Sequence, residues 1–406
     1  MRIKSTKVYV ILAVILAFLF FSNDFGLTDI QKTALVIAVG VDRENDEFVI
    51  TSQIAMPKSE QDGESSESAQ IVSKGKTVAD AFEQINAKTG WYPKLVFCKL
   101  IALGESATKR NVFECLNFFL RDEYLSDNCS VAVCEGSAQE ILNAKTPVED
   151  LSGLAAIKVL SSHAERVGSV LPNTLREFAS SYFDQDKSTF LPIIKAEAPQ
   201  EETAQSKKEQ SESGKSGGKG ENGSASSGKQ KSSNGEQEKK VFSASETALF
   251  NDGKQVGKLN ADESKTLAFV KNKLRLASYP LKVDDGEYTL HVKRNTPKTK
   301  LSFEQDQPKL EIQVTVTAGI LDGSKFHSVE SLSDAGEIPK KVLQSAEEKL
   351  QGDILKLFEK TKALNCDVFD CSLTLKRKYF DRYEKYRENL LREIQPNVRV
   401  KFQNVR

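Results

Sequence analysis

The spacing of the hydrophobic positions changes along the chain, and each spacing predicts a type of element. Continuous or alternating apolar positions predict strands over residues 32–42, 47–56, 95–104, 130–136 and 190–198. A 3.6-residue spacing predicts helices over residues 78–87, 107–122, 137–144, 159–166 and 174–181. Thr77 is predicted to cap the first of these helices. This order of elements predicts an α+β or mixed α/β fold, with a sheet that helices cover.

The C-terminal part of the chain shows the same mixture of spacings. Strands are predicted over residues 247–250, 255–259, 288–293, 298–303, 310–321, 373–379 and 398–402. The residues 251–253 form the predicted turn between the first two of these strands. Pro339 is predicted to begin a long helix. A last helix, stopped by Pro396, is predicted to bury one side that carries Phe380, Tyr383, Tyr386, Leu390 and Ile394.

The first 29 residues have the pattern of a signal-anchor. Three basic residues precede an unbroken apolar run from Val8 to Phe21. No small-residue cleavage site and no cysteine follow this run, so an uncleaved membrane anchor with the rest of the chain exported is predicted. The alternative is a cleaved signal peptide with a poor cleavage site. With the anchor, the chain is predicted to be a multi-domain protein whose mixed sheets pack with helices.

Residues 199–240 differ in composition from the rest of the chain. This 42-residue segment holds 8 Lys, 7 Glu, many Gly and Ser, and only two apolar residues, both Ala. A segment of this kind cannot bury enough apolar surface to offset its ordering entropy, so it is predicted to be a disordered linker. It separates an N-terminal domain, 30–198, from a C-terminal domain, 241–406. A smaller polar insertion, 58–69, is predicted to be a hairpin loop.

Composition and motifs argue against catalysis. Lys+Arg and Asp+Glu both number 57, so net charge supplies no general attraction to nucleic acid. The three histidines, His163, His291 and His327, lie too far apart in sequence to suggest a metal site. No nucleophile–base pair and no phosphate-binding glycine loop is recognisable. We therefore predict no enzyme activity, no catalytic, metal or cofactor-binding residues and no cofactor, and leave ligand-binding residues unknown.

Six cysteines in an exported chain leave two interpretations open. The spacing allows Cys98 to pair with Cys134, and Cys366 to pair with Cys371 across a short loop. The alternative is that each cysteine is a buried free thiol. Cys129 and Cys134, at opposite ends of one strand-like run, are not expected to bond to each other.

The last 31 residues, 376–406, are basic, with ten Lys or Arg and four Asp or Glu. Aromatic residues are interleaved with these charges, which is one pattern of a nucleic-acid surface. Their helical spacing favours a core stripe beneath a solvated basic face. Contact with anionic lipid headgroups is the third interpretation.

Five segments, in order and spacing, resemble the C subunits of spore germinant receptors, the GerAC-like proteins. They are LVIAVGVDRENDEFVITSQIAMP (35–57), SKGKTVADAFEQI (73–85), residues 100–142 around Arg121-Asp122, REFASSYFDQDKSTFLPII (176–194) and SASETALFNDGKQVGKLNADES (243–264). The chain departs from that family in two respects: it has no lipid-modified cysteine, and its basic C-terminal segment has no tryptophan.

The resemblance implies a non-enzymatic, membrane-anchored subunit of a nutrient germinant receptor that is required for spore germination. It implies two membrane-embedded partner subunits, A-type and B-type, contact with a nutrient germinant through the complex, and no nucleic acid. The expected location is extracytoplasmic, at the spore inner membrane. The alternative is an extracytoplasmic, membrane-anchored binding or scaffold protein of another assembly. In either case Asp42 is expected to act as a turn and capping residue, and Arg121 and Asp122 to hold a helix end.

Overall fold

The computed structural model describes residues 9–17, 33–55, 68–184, 186–199, 239–284, 286–323 and 337–405. Its elements up to residue 199 are α1 (9–17), β1 (Thr33–Glu44), β2 (Glu47–Ala55), β3 (Ser68–Gly75), α2 (Val78–Thr89), β4 (Tyr92–Lys94), β5 (Leu100–Leu103), α3 (Glu105–Thr108), α4 (Phe113–Arg121), β6 (Ser130–Cys134), α5 (Ala138–Asn143), α6 (Ser152–Val159), α7 (Ser162–Arg166), β7 (Asn173–Thr174), α8 (Leu175–Tyr182) and β8 (Ser188–Glu197). The later elements are β9 (Val241–Asn251), β10 (Lys254–Leu259), α9 (Ala261–Val270), β11 (Ser278–Val283), β12 (Gly286–Glu304), β13 (Gln307–Gly323), α10 (Lys340–Ala363), α11 (Cys371–Lys378), α12 (Phe380–Tyr386), α13 (Leu390–Glu393) and β14 (Gln395–Asn404).

The first sheet has ten strands and is mixed. Its main order is β10-β9-β8-β6-β5-β1-β2-β3, with β4 beside β1 and β7 beside β6. The central pairs β1–β5, β5–β6 and β6–β8 are parallel, whereas the hairpins at both ends are antiparallel. Helices α2, α4 and α8 bury one face, and α5 and α6 bury the other. Burial on both faces explains the continuous apolar runs of the central strands.

The second sheet has the order β11-β12-β13-β14. Strands β12 and β13 form a long antiparallel hairpin, and β14 lies parallel to β13. One face of this sheet packs against the 24-residue helix α10, which buries Val342, Ala346, Leu350, Ile354, Leu357 and Phe358. Two mixed sheets packed with helices confirm the predicted α+β, multi-domain fold class.

Several local predictions are confirmed. The Thr77 hydroxyl accepts the Asp80 N–H and caps α2. Strands β9 and β10 meet at a turn in which Asp252 and Gly253 both have positive φ. Pro339 directly precedes α10.

The prediction of a strand over residues 373–379 is wrong, because α11 occupies this segment. Both carboxylate oxygens of Asp367 accept backbone N–H groups of the first turn, those of Cys371 and Ser372, at 3.1 and 2.7 Å. The helix buries Cys371, Ser372 and Leu375, which share one helical face. A capping carboxylate four residues upstream therefore outweighs the alternating pattern.

Other boundaries also differ from the predictions. Residues 288–303 form part of one strand, and a 3₁₀ turn, Leu95–Phe97, precedes β5. The last predicted helix is divided into α12 and α13; four of its five predicted core residues are buried, but Phe380 is exposed. Helix α9 and strand β11 have no counterpart among the predicted elements.

The strands on either side of the predicted linker are hydrogen-bonded neighbours. β8 pairs antiparallel with β9, from Ser188 opposite Asn251 to Glu197 opposite Val241. The first sheet thus continues across the 199–240 segment and takes β9 and β10 from the C-terminal side. Residues 200–238 lie outside the described residues, so the disordered linker and the division into two domains stay predictions. Most of the 58–69 insertion also lies outside them, although β2 and β3 pair antiparallel, as in a hairpin.

All six cysteines are buried free thiols, so neither disulfide is present. Cys98 and Cys134 cannot pair because they belong to the cores on opposite faces of the first sheet. The side chain that Cys98 contacts is Cys129: a hydrogen bond between these thiols, together with burial, raises the pKa of Cys129. Cys366 instead directs its Sγ to the carbonyl of Phe250, at 3.3 Å.

Candidate interaction surface

Asp42 caps a helix from the end of a neighbouring strand. It is 6% exposed at the end of β1 and accepts three hydrogen bonds at the start of α5. The donors are Ser137 Oγ at 2.9 Å and the backbone N–H groups of Ala138 and Gln139, both at 3.0 Å. The packing is close: a Cβ on Gly104 would lie 1.8 Å from Asp42 Oδ1. Asp42 therefore joins β1 to α5, in agreement with its predicted capping role.

Arg121 and Asp122 hold the end of α4, each with its own partners. Asp122 Oδ1 accepts the N–H groups of Tyr124 and Leu125, both at 2.9 Å. Arg121 Nε donates to Asn117 Oδ1, one turn earlier, at 3.2 Å. Asp122 therefore ties the end of α4 to the turn that follows it, as predicted for both residues, whereas the Arg121 bond stays within the helix.

A pair of carboxyl groups, one buried on Asp367 and one half-buried on Asp186, lies where the two sheets meet. Asp186 precedes β8 of the first sheet, and its side chain is hydrogen-bonded to that of Asp367, which precedes α11. The Asp367 N–H also donates to Ser188 Oγ at 2.9 Å. Burial, and then the charges of Asp367 and Asp184, raise the pKa of Asp186 to about 8. This junction is therefore sensitive to the protonation of Asp186.

Residues with metal or acid–base chemistry are dispersed. Among the residues that the structure describes, no group of three or more His, Cys, Asp or Glu side chains could hold a metal ion. His163 lies on α7 and His291 on β12, whereas His327 lies outside the described residues. Asp42, Asp122 and Asp367 accept bonds from backbone N–H groups, so their geometry is that of capping residues.

A patch of exposed apolar and aromatic side chains lies at the beginning of β1. We call it the aromatic patch; it consists of Leu35, Trp91, Tyr92, Val96, Phe97 and Tyr124. Tyr92, Phe97 and Tyr124 each expose half or more of their surface. A group of exposed apolar and aromatic residues of this kind is typical of a surface that contacts a partner or a membrane.

Strand pairing brings the members of the aromatic patch together. The short strand β4 lies parallel to β1, with Tyr92 opposite Thr33 and Lys94 opposite Leu35. The 3₁₀ turn that carries Val96 and Phe97 follows β4 directly. Lys94 Nζ lies 4.9 Å from the centroid of the Tyr124 ring, which connects the patch to the end of α4.

The aromatic patch is next to the point where the chain enters the fold. β1 begins at Thr33, and eleven residues lie between it and the apolar run that ends at Phe21. Within that run, α1 leaves its apolar side chains more than half exposed. Of the helices in the described ranges, none is both long and apolar enough to cross a membrane.

Sequence reasoning did not identify the aromatic patch. Its residues lie in WYPKLVF (91–97), which was read in part as a buried strand, and in single positions elsewhere. An apolar run without helical spacing indicates a buried strand as readily as an exposed turn. The clue that was available is Pro93, which cannot donate a hydrogen bond within a central strand.

Comparison with known proteins gives matches along nearly the whole folded chain. Residues 27–196 match the spore germination protein N-terminal domain, and residues 245–404 match the family described as spore germination B3/GerAC like, C-terminal. Spore germination protein B3 of Bacillus subtilis (strain 168) is 24% identical over 344 residues, which cover 83% of this chain and 80% of that protein. Spore germination protein A3 of the same organism is 28% identical over 193 residues, covering 45% of this chain and 50% of that one.

A solved structure has the same fold. The crystal structure of the GerBC protein superposes with a TM-score of 0.52 at 17% identity and covers 90% of this chain and 96% of that one. At 17% identity this match shows that the two chains share a fold.

Proposed function

Because the chain belongs to the GerAC-like family of spore germination receptor subunits, we propose that it is a non-enzymatic, membrane-anchored subunit of a nutrient germinant receptor. Its role is to assemble with the other subunits and to hold them in a working arrangement. The family is one of receptor subunits, and the buried carboxylates of Asp42 and Asp367 act as capping groups. Both observations support a role in assembly.

The aromatic patch is the observation that carries this proposal. Its exposed Trp, Tyr and Phe side chains are the types that are enriched in protein interfaces and at membrane–water boundaries. The chain from Phe21 to Thr33, twelve residue steps, could extend over at most about 43 Å. An anchor formed by residues 1–29 would thus keep the patch close to the bilayer and to any membrane-embedded partner.

We place the folded part on the outer face of the spore inner membrane, with A-type and B-type subunits as partners. The nutrient germinant then acts through the complex. A scaffold of another assembly would have the same fold, so the genomic neighbourhood distinguishes the two. A receptor subunit should be encoded beside two membrane proteins, and a lone gene would favour the scaffold.

Replacing Leu16 with Arg is expected to release the protein from membranes. A central Arg costs about 2.5–3.5 kcal/mol on insertion scales, which is enough to impair a short apolar run. The measurement is the fraction of full-length protein in the membrane pellet. Ser5→Arg is the matched control, since it adds the same charge outside the run. A wild-type protein whose mature N-terminus lies near Asn23 or Asp24 would contradict the anchor.

The double replacement Tyr92→Ser and Phe97→Ser is expected to lower co-purification of the membrane-embedded partners at least ~10-fold. Truncating a central aromatic contact in an interface typically costs about 2 kcal/mol or more. Both side chains are half exposed, so the thermal unfolding midpoint should stay close to that of the wild type.

Phe380→Ser is the matched control, because Phe380 is an exposed aromatic residue outside the patch. It should leave partner recovery unchanged. Normal partner recovery in the double variant, at wild-type stability, would show that the aromatic patch is not the assembly surface.

A further inference from the structure

The face of the second sheet that α10 leaves uncovered is basic. Alternate positions of β12 and β14 expose five cations on this face: Arg294, Lys298, Lys300, Arg399 and Lys401. Between them lie threonine and glutamine side chains, and Gln403 Nε2 donates to Thr317 Oγ1 at 3.0 Å. Among the described residues, none of the five cations forms an ion pair. The basic residues of 376–406 on β14 thus contribute to a surface with an excess of positive charge, on which Glu311 lies opposite Lys300.

A bulge in β12 opens a cavity at the edge of this face. The register of β12 on β13 shifts between Val292 and Arg294, and Lys293 and Arg294 are both exposed. Strand β11 departs at the same level, where the Val292 N–H donates to the Ala277 carbonyl at 2.8 Å. The cavity has a volume of about 510 Å³ and is lined by Asn272, Arg275, Lys293, Arg294, Asn295 and Thr296.

Asn295 is one of the residues that line this cavity, and its side chain carries a buried acceptor without a hydrogen-bond partner among the described residues. The residue is 4% exposed, and its Nδ2 donates to the Phe269 carbonyl at 2.7 Å. That bond fixes the orientation of the amide. Its Oδ1 is buried and accepts no hydrogen bond from the part of the chain that the structure describes. A buried polar atom left unpaired costs about 1–3 kcal/mol, so a ligand that donates a hydrogen bond here gains affinity.

We propose that this cavity binds a phosphate group that carries a hydroxyl, either its own or one on an ester. Arg275, Lys293 and Arg294 provide the positive charge for the phosphate oxygens, and guanidinium groups match the geometry of those oxygens. Asn295 Oδ1 accepts a hydrogen bond from the hydroxyl group. Monohydrogen phosphate, a soluble phosphate ester and a phosphatidylglycerol headgroup all have this chemistry, whereas sulfate at neutral pH has no proton to donate.

The adjoining depression extends the site along the sheet. It holds about 250 Å³ and shares Arg294 and Thr296 with the cavity, with Lys298 and Thr315 on its far side. The part of a larger ester that extends out of the cavity would therefore lie over the hydroxyl groups of Thr296 and Thr315 and the ammonium group of Lys298. The proposal does not depend on the receptor role, since the residues that form the site lie outside the aromatic patch.

The test uses the full chain in phosphatidylcholine nanodiscs, with binding measured by calorimetry and by hydrogen exchange of the β12 amides. We expect glycerol 3-phosphate and inorganic phosphate to bind at least ~10-fold more tightly than sulfate. Arg275→Gln and Arg294→Gln should each weaken phosphate binding ~10-fold or more. Lys341→Gln, at an exposed position outside the site, should have no effect.

A second arm replaces part of the neutral lipid with phosphatidylglycerol. Protection of residues 293–296 that Arg294→Gln removes would identify a lipid headgroup as a source of the phosphate. Binding of glycerol 3-phosphate without such protection would identify a soluble ester as the source. Equal binding of sulfate and phosphate, or no binding in either arm, would overturn the proposal. Protection by anionic lipid that Arg294→Gln leaves intact would also overturn it, because it would show general adsorption.

Discussion

Replacing Asp42 with Ala is expected to lower the free energy of unfolding by about 3 kcal/mol. The substitution removes the acceptor of three hydrogen bonds, one of them from a hydroxyl, and leaves the backbone N–H of Ala138 without a partner. The Gln139 N–H keeps its second acceptor, the Ser137 hydroxyl. Each buried, unpaired donor costs about 1–3 kcal/mol, and neighbouring losses are not fully additive. Chemical denaturation of the purified chain measures the change, and a lower level of the protein in spores should accompany it.

Asp46→Asn is the control for this substitution, because asparagine tolerates the positive φ of 70° at this turn position. Asp46 lies four residues away in the β1–β2 turn, is mostly exposed and forms a surface ion pair with Arg110. Such pairs contribute about 0–1 kcal/mol, so the control should stay close to the wild type. A different result would change the interpretation of Asp42. If Asp42→Ala had normal stability, normal abundance and normal partner recovery but no germination, Asp42 would be a ligand-binding or catalytic group.

Replacing Asp186 with Asn is expected to stabilise the chain at pH 8 and above. It should also remove the part of the pH dependence of stability that this carboxyl group causes. The pKa of Asp186 is raised in the folded state to about 8, from an ordinary value near 4. Between these values the folded state binds more protons than the unfolded state. The ionisation of Asp186 should therefore lower the unfolding free energy of the wild type as the pH rises from about 4 to about 8. Asparagine stays neutral and can still donate to Asp367.

The expected size of this effect is about 2–3 kcal/mol at pH 8, measured as the difference in unfolding free energy between variant and wild type. Each unit of pKa shift corresponds to about 1.4 kcal/mol, and the partial exposure of Asp186 reduces the total. The difference should shrink as the pH falls toward 4. Asp381→Asn, at an exposed position on α12, should give no such trend. Parallel stability curves for Asp186→Asn and wild type would show that Asp186 does not carry the raised pKa.

The strands of the first sheet could be predicted from the sequence, whereas the contacts between distant elements could not. Runs such as residues 32–42 are apolar on both faces, and only a strand in the middle of a covered sheet needs that composition. Residues 373–379 were predicted to be a strand because apolar and polar residues do alternate there. The segment is helical because the Asp367 carboxylate caps its first turn. A capping bond of that kind depends on tertiary placement, which periodicity does not report.

The candidate surfaces could not be predicted for a related reason. The aromatic patch exists because β4 pairs with β1, 59 residues apart at Thr33 and Tyr92. The phosphate cavity needs a bulge in β12 and an orphan oxygen on Asn295. Each of these depends on register or on a missing partner. Sequence patterns indicate which residues are buried, but they do not indicate which buried atom has no hydrogen bond.

The antiparallel pairing of β8 with β9 has a consequence for how this chain tolerates insertions. The 43 residues between them connect two strands that already lie side by side, so the two ends of this connection are only one strand spacing apart. The entropy of closing an unstructured loop grows with the logarithm of its length, and each doubling adds about 0.6 kcal/mol. Shortening the connection to about five residues would therefore change the stability by only about 2 kcal/mol. This position could accept a tag, a fluorophore or a whole inserted domain while the strand register stays the same.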